Sequence, residues 1–291
     1  RRMNEKLQQL SVKYTALEER IADQGDNSAL PAAGTIGTFA NSALARYLGM
    51  LFYRAAGSPD DARIDHDWLQ TAFRTAPDIY PFPVPPSIPE ELTLPPGAAR
   101  LNVVGFAGMS PVKKESVTVL PLPNGHHLKI ALPEMVRRPS RVNAVRLVFR
   151  DGQTVELGLL EDMQAVAEET FRAKIHLITV KTIVRTTVKS GVSAGLTAVG
   201  KESDDENLGL ALQIFGALGQ LFADATERAD LRLSRYFPGK AYVGGVTVNP
   251  GVYSFRVDYL DSGGGIVASF DYTDISVKPG KLNLIESLCP K

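Results

Sequence analysis

Histidines are the first residues to test for chemistry, because imidazole serves as a metal ligand and as a general base near neutral pH. The chain has four, His66, His126, His127 and His176. His126 and His127 are adjacent beside a predicted strand, where neighbouring side chains point to opposite faces, so they cannot readily share a metal ion. No HExxH pair or cysteine cluster accompanies them. We therefore predict no metal ligands and interpret this pair as a solvated hairpin edge.

Two short motifs have spacing that occurs in hydrolytic enzymes. Asp65-His66-Asp67 could orient a catalytic imidazole, but neighbours on a helix diverge by about 100° and the chain has no G-x-S-x-G elbow. Ser110-Pro111-Val112-Lys113 matches the S-x-x-K pattern of penicillin-binding proteins, yet it falls in a proline-containing loop without the companion motifs. The sequence therefore predicts no catalytic residues.

Cofactor motifs are also absent from the sequence. Neither a G-x-G-x-x-G fingerprint nor a Walker motif occurs. The acidic run Asp204–Asn207 lacks the alternating ligands and central glycine of an EF-hand loop, so we interpret it as a charged connector between helices. We predict no bound cofactor.

Composition narrows the class of partner. The chain has 291 residues, with 32 basic and 32 acidic side chains and a net charge of zero. This balance argues against nucleic acid as the main partner, since such proteins usually carry a basic excess. Cys289 is the only cysteine, which excludes an internal disulfide. The opening, Arg1-Arg2-Met3-Asn4, has no apolar segment typical of a signal peptide and has the pattern of a helix interior.

Helical patterns dominate the first quarter of the chain. Apolar residues recur at helical spacing over residues 3–22, and residues 25–37 contain three glycines and a proline, as in a linker. A helical hairpin follows, with helices over residues 43–56 and 60–75. Ser58 is a candidate N-cap and Pro59 a candidate first helical residue. Residues 77–98 contain so many prolines that we predict a stiff linker and a domain boundary.

The pattern changes to period two after residue 98. Predicted strands at 101–106, 117–122, 127–132, 142–149 and 154–159 form an antiparallel sheet of about five strands. Four more, at 242–248, 252–260, 266–277 and 282–287, suggest half of a β-sandwich that the first set completes.

Residues 161–225 separate these two groups of strands, and their apolar residues recur at helical spacing. This pattern predicts a helical hub. A strand over residues 175–188 is the alternative, because β-branched residues are dense there. Leu208–Ala223 is the most apolar run, but it is short for a membrane span and contains glutamines, so we interpret it as half of a buried helical hairpin.

The hairpin at residues 43–75 resembles one tetratricopeptide repeat. Leu48-Gly49, Tyr53 and Ala62 lie close to the packing positions of that repeat, and Ala76-Pro77 closes the unit. A generic helical hairpin is the alternative. Aromatic residues are concentrated here, and a lone repeat cannot cover its own apolar face. The candidate partner-interface residues are Tyr47, Phe52, Tyr53, Trp68 and Phe73.

Over most of residues 40–260 the chain resembles uncharacterised bacterial cell-envelope proteins, many of them lipoproteins, with tetratricopeptide-like helices before a β-rich tail. The stretches that carry this resemblance are Ala45–Gly49 with Asp61–Asp65, Leu128–Pro139, Thr226–Leu233 with Phe237-Pro238-Gly239, and Pro250–Tyr253. The resemblance implies export and an envelope role. It brings no catalytic residues, and the expected lipid-anchoring cysteine near the start is missing here.

Together these observations predict an α+β protein with three parts. Residues 1–76 form a tetratricopeptide-like helical module, residues 77–98 a proline-rich linker, and residues 99–291 an antiparallel β-rich body with a helical hub at about 161–225 and sandwich-like C-terminal strands. The predicted function is a non-enzymatic scaffold in the periplasm, or anchored to the outer membrane, that binds other envelope proteins or a second copy. The alternative is an enzyme or ligand-binding module acting on peptidoglycan or glycans.

Overall fold

The structure is a computed structural model that describes residues 41–121, 127–172, 175, 178, 231, 233–234 and 236–291. It is a mixed α+β fold with a large sheet. The chain divides into two compact units. The first unit comprises residues 1–38, 113–136 and 170–233, and the second comprises residues 39–112, 137–169 and 234–291. Predictions for residues 3–22, 25–37, 204–207 and 208–223 lie outside the described residues.

Two helices open the second unit, close to their predicted bounds. Helix α1 is Ala43–Ala55 and helix α2 is Pro59–Thr75. The side chain of Ser42 caps α1 by accepting a hydrogen bond from the Ala45 N–H. Ser58 is the N-cap residue of α2 and Pro59 its first residue, as predicted, but the Ser58 side chain makes no capping hydrogen bond. Gly57 turns the chain between them with a φ of 78°.

The nine strands in the described residues lie near their predicted positions, because alternation and turn residues mark strands well. In chain order they are β1 Ala99–Ala107, β2 Val112–Pro121, β3 His127–Val136, β4 Ala144–Phe149, β5 Thr154–Asp162, β6 Lys240–Val248, β7 Gly251–Leu260, β8 Ile266–Val277 and β9 Asn283–Cys289. A short 3₁₀ helix is Pro89–Leu92. A further helix, α3, begins at residue 163 and is described to residue 172.

Seven of these strands form one sheet in the order β8-β7-β4-β5-β6-β1-β9. Neighbouring strands are antiparallel except β1 and β9, which are parallel. The two outermost strands approach each other, because the Tyr272 hydroxyl on β8 donates to the Glu286 carbonyl on β9 over 3.1 Å. The sheet therefore curls around one of its own faces.

The curled face holds the larger hydrophobic core. Alternate residues of β1 and β7, among them Leu101, Val103, Val257 and Tyr259, are buried in one cluster. Period-two alternation places each of these side chains on the same face of the sheet. The core therefore joins strands that precede the segment 163–233 to strands that follow it.

A second core lies on the opposite face of β1, β5 and β6. Val104, Leu160 and Val243 pack there with buried residues of α1 and α2, including Tyr47 and Leu69. The buried positions Ala43, Tyr47, Met50 and Leu51 follow the three- and four-residue spacing of one helix face. The helical hairpin is therefore part of the same compact unit as the sheet.

The proline-rich segment differs from the predicted linker. Ile79, Tyr80 and Ile88 are buried in the core between the helices and the sheet, and Pro85 lies against Gly158 of β5. Proline keeps the segment extended, as composition predicts, but the apolar residues between the prolines pack instead of facing solvent. We call residues 77–98 the strap. The strap belongs to the same compact unit as the two helices and the strands of the large sheet.

Strand grouping also differs from the prediction. Strands β2 and β3 form a separate two-stranded sheet, and β1 pairs with β6 and β9 instead of its neighbours in sequence.

In the first unit, Leu132 and Ile175 are buried and Lys113 lies 5.8 Å above the Phe171 ring. None of the helices that the structure describes has the length and hydropathy needed to cross a membrane.

Candidate protein-binding face

A buried carboxylate fixes the start of α1. Glu161 Oε2 accepts hydrogen bonds from the Ser42 hydroxyl at 2.8 Å, the Leu44 N–H at 3.0 Å and the Tyr80 hydroxyl at 3.0 Å. A negative charge at a helix N-terminus is favourable because the first backbone N–H groups have no partners within the helix. Burial, and then the nearby Glu161 charge, raise the pKa of Tyr80, so this tyrosine stays a proton donor. Sheet, strap and helix thus meet at one carboxylate.

A second buried network fixes the end of α1. Glu91, in the 3₁₀ helix of the strap, is fully buried and accepts hydrogen bonds from Arg54, from Arg100 Nε at 3.0 Å and from Asn102 Nδ2 at 2.7 Å. Asn102 also accepts from Arg54 at 3.0 Å and donates to the Tyr47 hydroxyl at 3.2 Å. Buried charges of this kind are tolerated only when fully paired, so the network allows one docking geometry.

Glycine makes room for that network on the sheet. A Cβ on Gly245 of β6 would lie 2.5 Å from Glu91 Oε1 and 2.7 Å from Arg100 Nε. Glycine within a strand often marks a close approach of another group. Gly245 is therefore the sequence signal that a buried side chain lies close against the sheet at this point.

Helix α1 is apolar on every side. Its only charged residues are Arg46 and Arg54, and both are engaged in ion pairs. Helices of this composition are normally buried all round. Here the side away from the sheet is open, with Ala45 exposed, Phe52 56% exposed and Tyr53 44% exposed. In the described part of the chain, this side is an exposed apolar surface.

Helix α2 extends the uncovered surface. Ile64 and Trp68, one turn apart, are 50% and 48% exposed. Arg46 of α1 forms an ion pair with Asp65 at 2.8 Å and lies 5.4 Å above the Trp68 ring. These contacts fix Trp68 against α1. We define the hairpin face as five exposed apolar or aromatic residues of the two helices, Ala45, Phe52, Tyr53, Ile64 and Trp68.

Gly49 brings the two helices of the hairpin together. A Cβ at this position would overlap the Asp65 carboxylate, so only glycine permits the spacing. Between the two helices, the Gly49 backbone therefore packs directly against the Asp65 carboxylate, which is paired with Arg46.

The five predicted interface residues do not all lie on this face. Phe52, Tyr53 and Trp68 are exposed, but Tyr47 is fully buried and its ring belongs to the second core. Burial is the main cause that raises the pKa of Tyr47. Phe73 is half-buried and stacks on Tyr80 with ring centroids 4.7 Å apart. The prediction that Tyr47 is an interface residue is therefore corrected, because its ring packs in the core.

The motifs tested for chemistry have structural contacts in the described residues. Asp65 is held by Arg46, and His66 Nδ1 lies 3.5 Å from Asp67. The Ser110 hydroxyl donates to the Ser234 carbonyl at 3.0 Å, which uses this hydroxyl to fasten a loop. No group of three residues with metal-ligating side chains occurs within the described parts of the chain.

Sequence reasoning missed Ala45 and Ile64 on the hairpin face, and Glu91 and Glu161 beneath it. Helical periodicity could have placed Ala45 and Ile64, since both lie opposite the buried stripe of their own helix. Arg54 is 37 residues from Glu91 and Ser42 is 119 residues from Glu161 along the chain, and local patterns do not show such separations.

These features define an α+β protein whose helical hairpin is fastened to a curled sheet and presents an apolar face. Comparison with known protein families, with curated proteins and with solved structures finds no match to the chain.

Proposed function

We propose that the protein is a non-enzymatic scaffold of the bacterial cell envelope that binds another protein through the hairpin face. One observation carries this proposal: α1 is firmly anchored and its only two charged residues are held in ion pairs, yet its side away from the sheet is exposed among the described residues. Exposed apolar surface of this kind is typical of interaction sites. Aromatic side chains such as Phe52, Tyr53 and Trp68 are also enriched in the centres of protein interfaces.

The anchoring networks support a binding role. Glu161 holds the start of α1 and Glu91 holds its end, so the exposed residues between them are preorganised. A face that is already ordered loses little side-chain entropy when a partner binds. The two networks thus favour a rigid platform for a partner.

The likeness of the hairpin to a tetratricopeptide repeat belongs to the same proposal. Gly49 and Ala62 occupy close helix contacts, as the repeat requires, whereas Tyr53 is exposed instead of packed. A single repeat leaves a face for a neighbour. We propose that this neighbour comes from another envelope protein.

Location in the envelope rests on the resemblance of stretches such as Leu128–Pro139 to envelope proteins. Fractionation of cells that produce the chain from its natural gene tests it directly. We expect the protein in the periplasmic or outer-membrane fraction, and recovery in the cytosol would contradict the envelope assignment.

Point substitutions on the full chain test the binding role. We expect tagged protein to capture a specific partner from solubilised native envelopes, and Phe52→Asp to abolish that capture, as measured by quantitative mass spectrometry. Ile266→Asp is the matched control, because Ile266 is equally exposed, at 56%, but lies on β8. Equal loss with both variants, or capture by Phe52→Asp at the unsubstituted level, would contradict the proposal. So would turnover of muropeptides by the purified protein.

A further inference from the structure

Among the described residues, the exposed charges around Ile64 on the hairpin face are predominantly acidic. Asp60, Asp61 and Asp67 are exposed on α2, and helical geometry places them around Ile64, which is three or four residues from each. Asp61 has no ion-pair partner among the described residues. The one ionisable partner of the Asp67 carboxylate within the described part of the chain is the His66 imidazole, at 3.5 Å. The face is therefore an apolar centre with a carboxylate rim.

Basic groups near the face are few and engaged. Arg63 lies 3.4 Å from Asp60 and offsets part of that charge. Arg46 is bonded to Asp65 and to Asn41 and covers Trp68. Arg74, in the last turn of α2, lies six residues beyond Trp68 and donates to Thr71 at 3.4 Å. The rim beside Ile64 therefore keeps a net negative charge.

We propose that the hairpin face binds an amphipathic helix of another protein, whose apolar stripe is flanked by lysine or arginine. The proposal rests on the proposed function and names the chemistry of the partner. Ala45 has a small side chain and lies on the same side of α1 as the larger Phe52 side chain, and both are exposed. Large aliphatic side chains at helical spacing pack against an apolar helix face of this kind, in the manner of helix-in-groove recognition.

The observations disfavour two other occupants. A second copy of the chain would bring Asp60, Asp61 and Asp67 near their own counterparts, and like charges across an interface are repulsive. An extended peptide would gain no backbone hydrogen bonds, because the face is built from helices whose backbone groups are already paired. A helix satisfies its own backbone and needs only the apolar stripe and the charged rim.

Trp68 provides a direct readout, because it is the only tryptophan in the chain. The probe is an 18-residue helical peptide with leucine at positions i, i+3, i+4 and i+7 and lysine on its flanks, titrated against the full chain. We expect saturable binding with a shift of the Trp68 emission to shorter wavelength. A matched peptide with glutamate in place of lysine should bind at least about tenfold more weakly, because its charges repel the rim.

Variants locate the site and its charge. Phe52→Asp should abolish binding of the lysine peptide, and Ile266→Asp should leave it unchanged. The double variant Asp61→Asn, Asp67→Asn should weaken binding about fivefold, as expected for two partly exposed ion pairs. Thermal unfolding of each variant shows whether it is folded.

Each remaining outcome contradicts the inference. Equal binding of both peptides excludes recognition of charge, and unchanged binding by Phe52→Asp places the site elsewhere. A concentration-dependent shift of the emission without peptide identifies a second copy as the occupant. If Phe52→Asp abolishes capture from envelopes but the lysine peptide does not bind, the scaffold function stands and the inference fails. If the lysine peptide binds as expected but capture does not depend on Phe52, the scaffold function fails instead.

Discussion

Asp258 is a fully buried carboxylate on a strand face otherwise occupied by partly exposed polar groups. Arg256 donates to both of its oxygens, at 2.7 and 3.1 Å, Ser269 donates at 2.5 Å, and Arg146 lies 3.4 Å away. Burial acts to raise the pKa of Asp258, but the hydrogen bonds, led by that from Arg256, outweigh it and the pKa is lowered. The ionised form is therefore favoured in the folded protein.

The contribution of the Asp258 carboxylate to the free energy of unfolding depends on pH, because its pKa differs between the folded and unfolded states. Because the folded pKa lies below that of an unfolded Asp, about 3.9, the contribution is complete above that value and is lost as the pH falls through the folded pKa. We expect Asp258→Asn to reduce the free energy of unfolding at pH 7 by about 1.5–3 kcal/mol, the range for hydrogen bonds to a charged group. Urea unfolding of both proteins at several pH values measures this change in the free energy of unfolding.

The difference between Asp258→Asn and the unsubstituted protein should shrink as the pH falls below about 4, since both then lack the charge. Glu156→Gln is the matched control. Glu156 is exposed and lies opposite Arg146 in the register of β4 and β5, so its loss should cost little. A stability difference for Asp258→Asn that does not vary with pH would refute the electrostatic account.

At the scale of elements, the strap and β6 depend on each other. Glu91 of the strap and Arg100 of β1 occupy the space that Gly245 leaves open. We expect Gly245→Ala to reduce the free energy of unfolding by about 1–3 kcal/mol, because the added methyl group overpacks a buried ion pair. Urea unfolding of the purified variant measures the change.

Gly263→Ala is the matched control for this prediction. Gly263 lies in the turn between β7 and β8, where a Cβ would meet only Asp261 Oδ1, at 3.4 Å. This substitution should be near neutral or slightly stabilising, because alanine restricts the unfolded chain. Equal effects of the two alanines would show that the space at Gly245 is not required.

Positions of individual elements could be predicted, but their partners could not. Alternation over residues 266–277 predicts a strand with the bounds that the structure gives to β8. The strap is different, because its prolines correctly indicate an extended chain while the burial of Ile79 and Ile88 depends on distant residues. Tyr47 could have been placed in the core from its spacing with Ala43 and Met50.

At the scale of the whole molecule, the sheet joins the two ends of the sequence. Strand β1 lies between β6 and β9, so both of its neighbours come from beyond residue 239. Strands β4 and β5 likewise pair with β7 and β6. Because the paired strands are far apart in the sequence, their contacts form slowly during folding. They also explain why two separate groups of strands were predicted, since spacing shows strands but not their order in the sheet.

Because of this topology, we expect the chain to tolerate a cut between the two groups of strands but not the loss of the second group. A protease site inserted between residues 202 and 203 separates β1, β4 and β5 from β6–β9 in sequence. After cleavage, four ladders, β1–β6, β1–β9, β4–β7 and β5–β6, still link the two fragments. We therefore expect the fragments to co-elute in size-exclusion chromatography without denaturant and to keep the circular dichroism of the intact protein.

The contrasting variant is a chain that ends at residue 235. It lacks both neighbours of β1, and it exposes the Leu101 and Val103 face that β6, β7 and β9 cover in the intact unit. Exposed strand edges and apolar faces of this kind lead to aggregation. We expect the truncated chain to be insoluble or unfolded, although it contains every residue of the helical hairpin. Separation of the nicked fragments, or a soluble and folded truncated chain, would show that the two ends of the chain do not depend on each other.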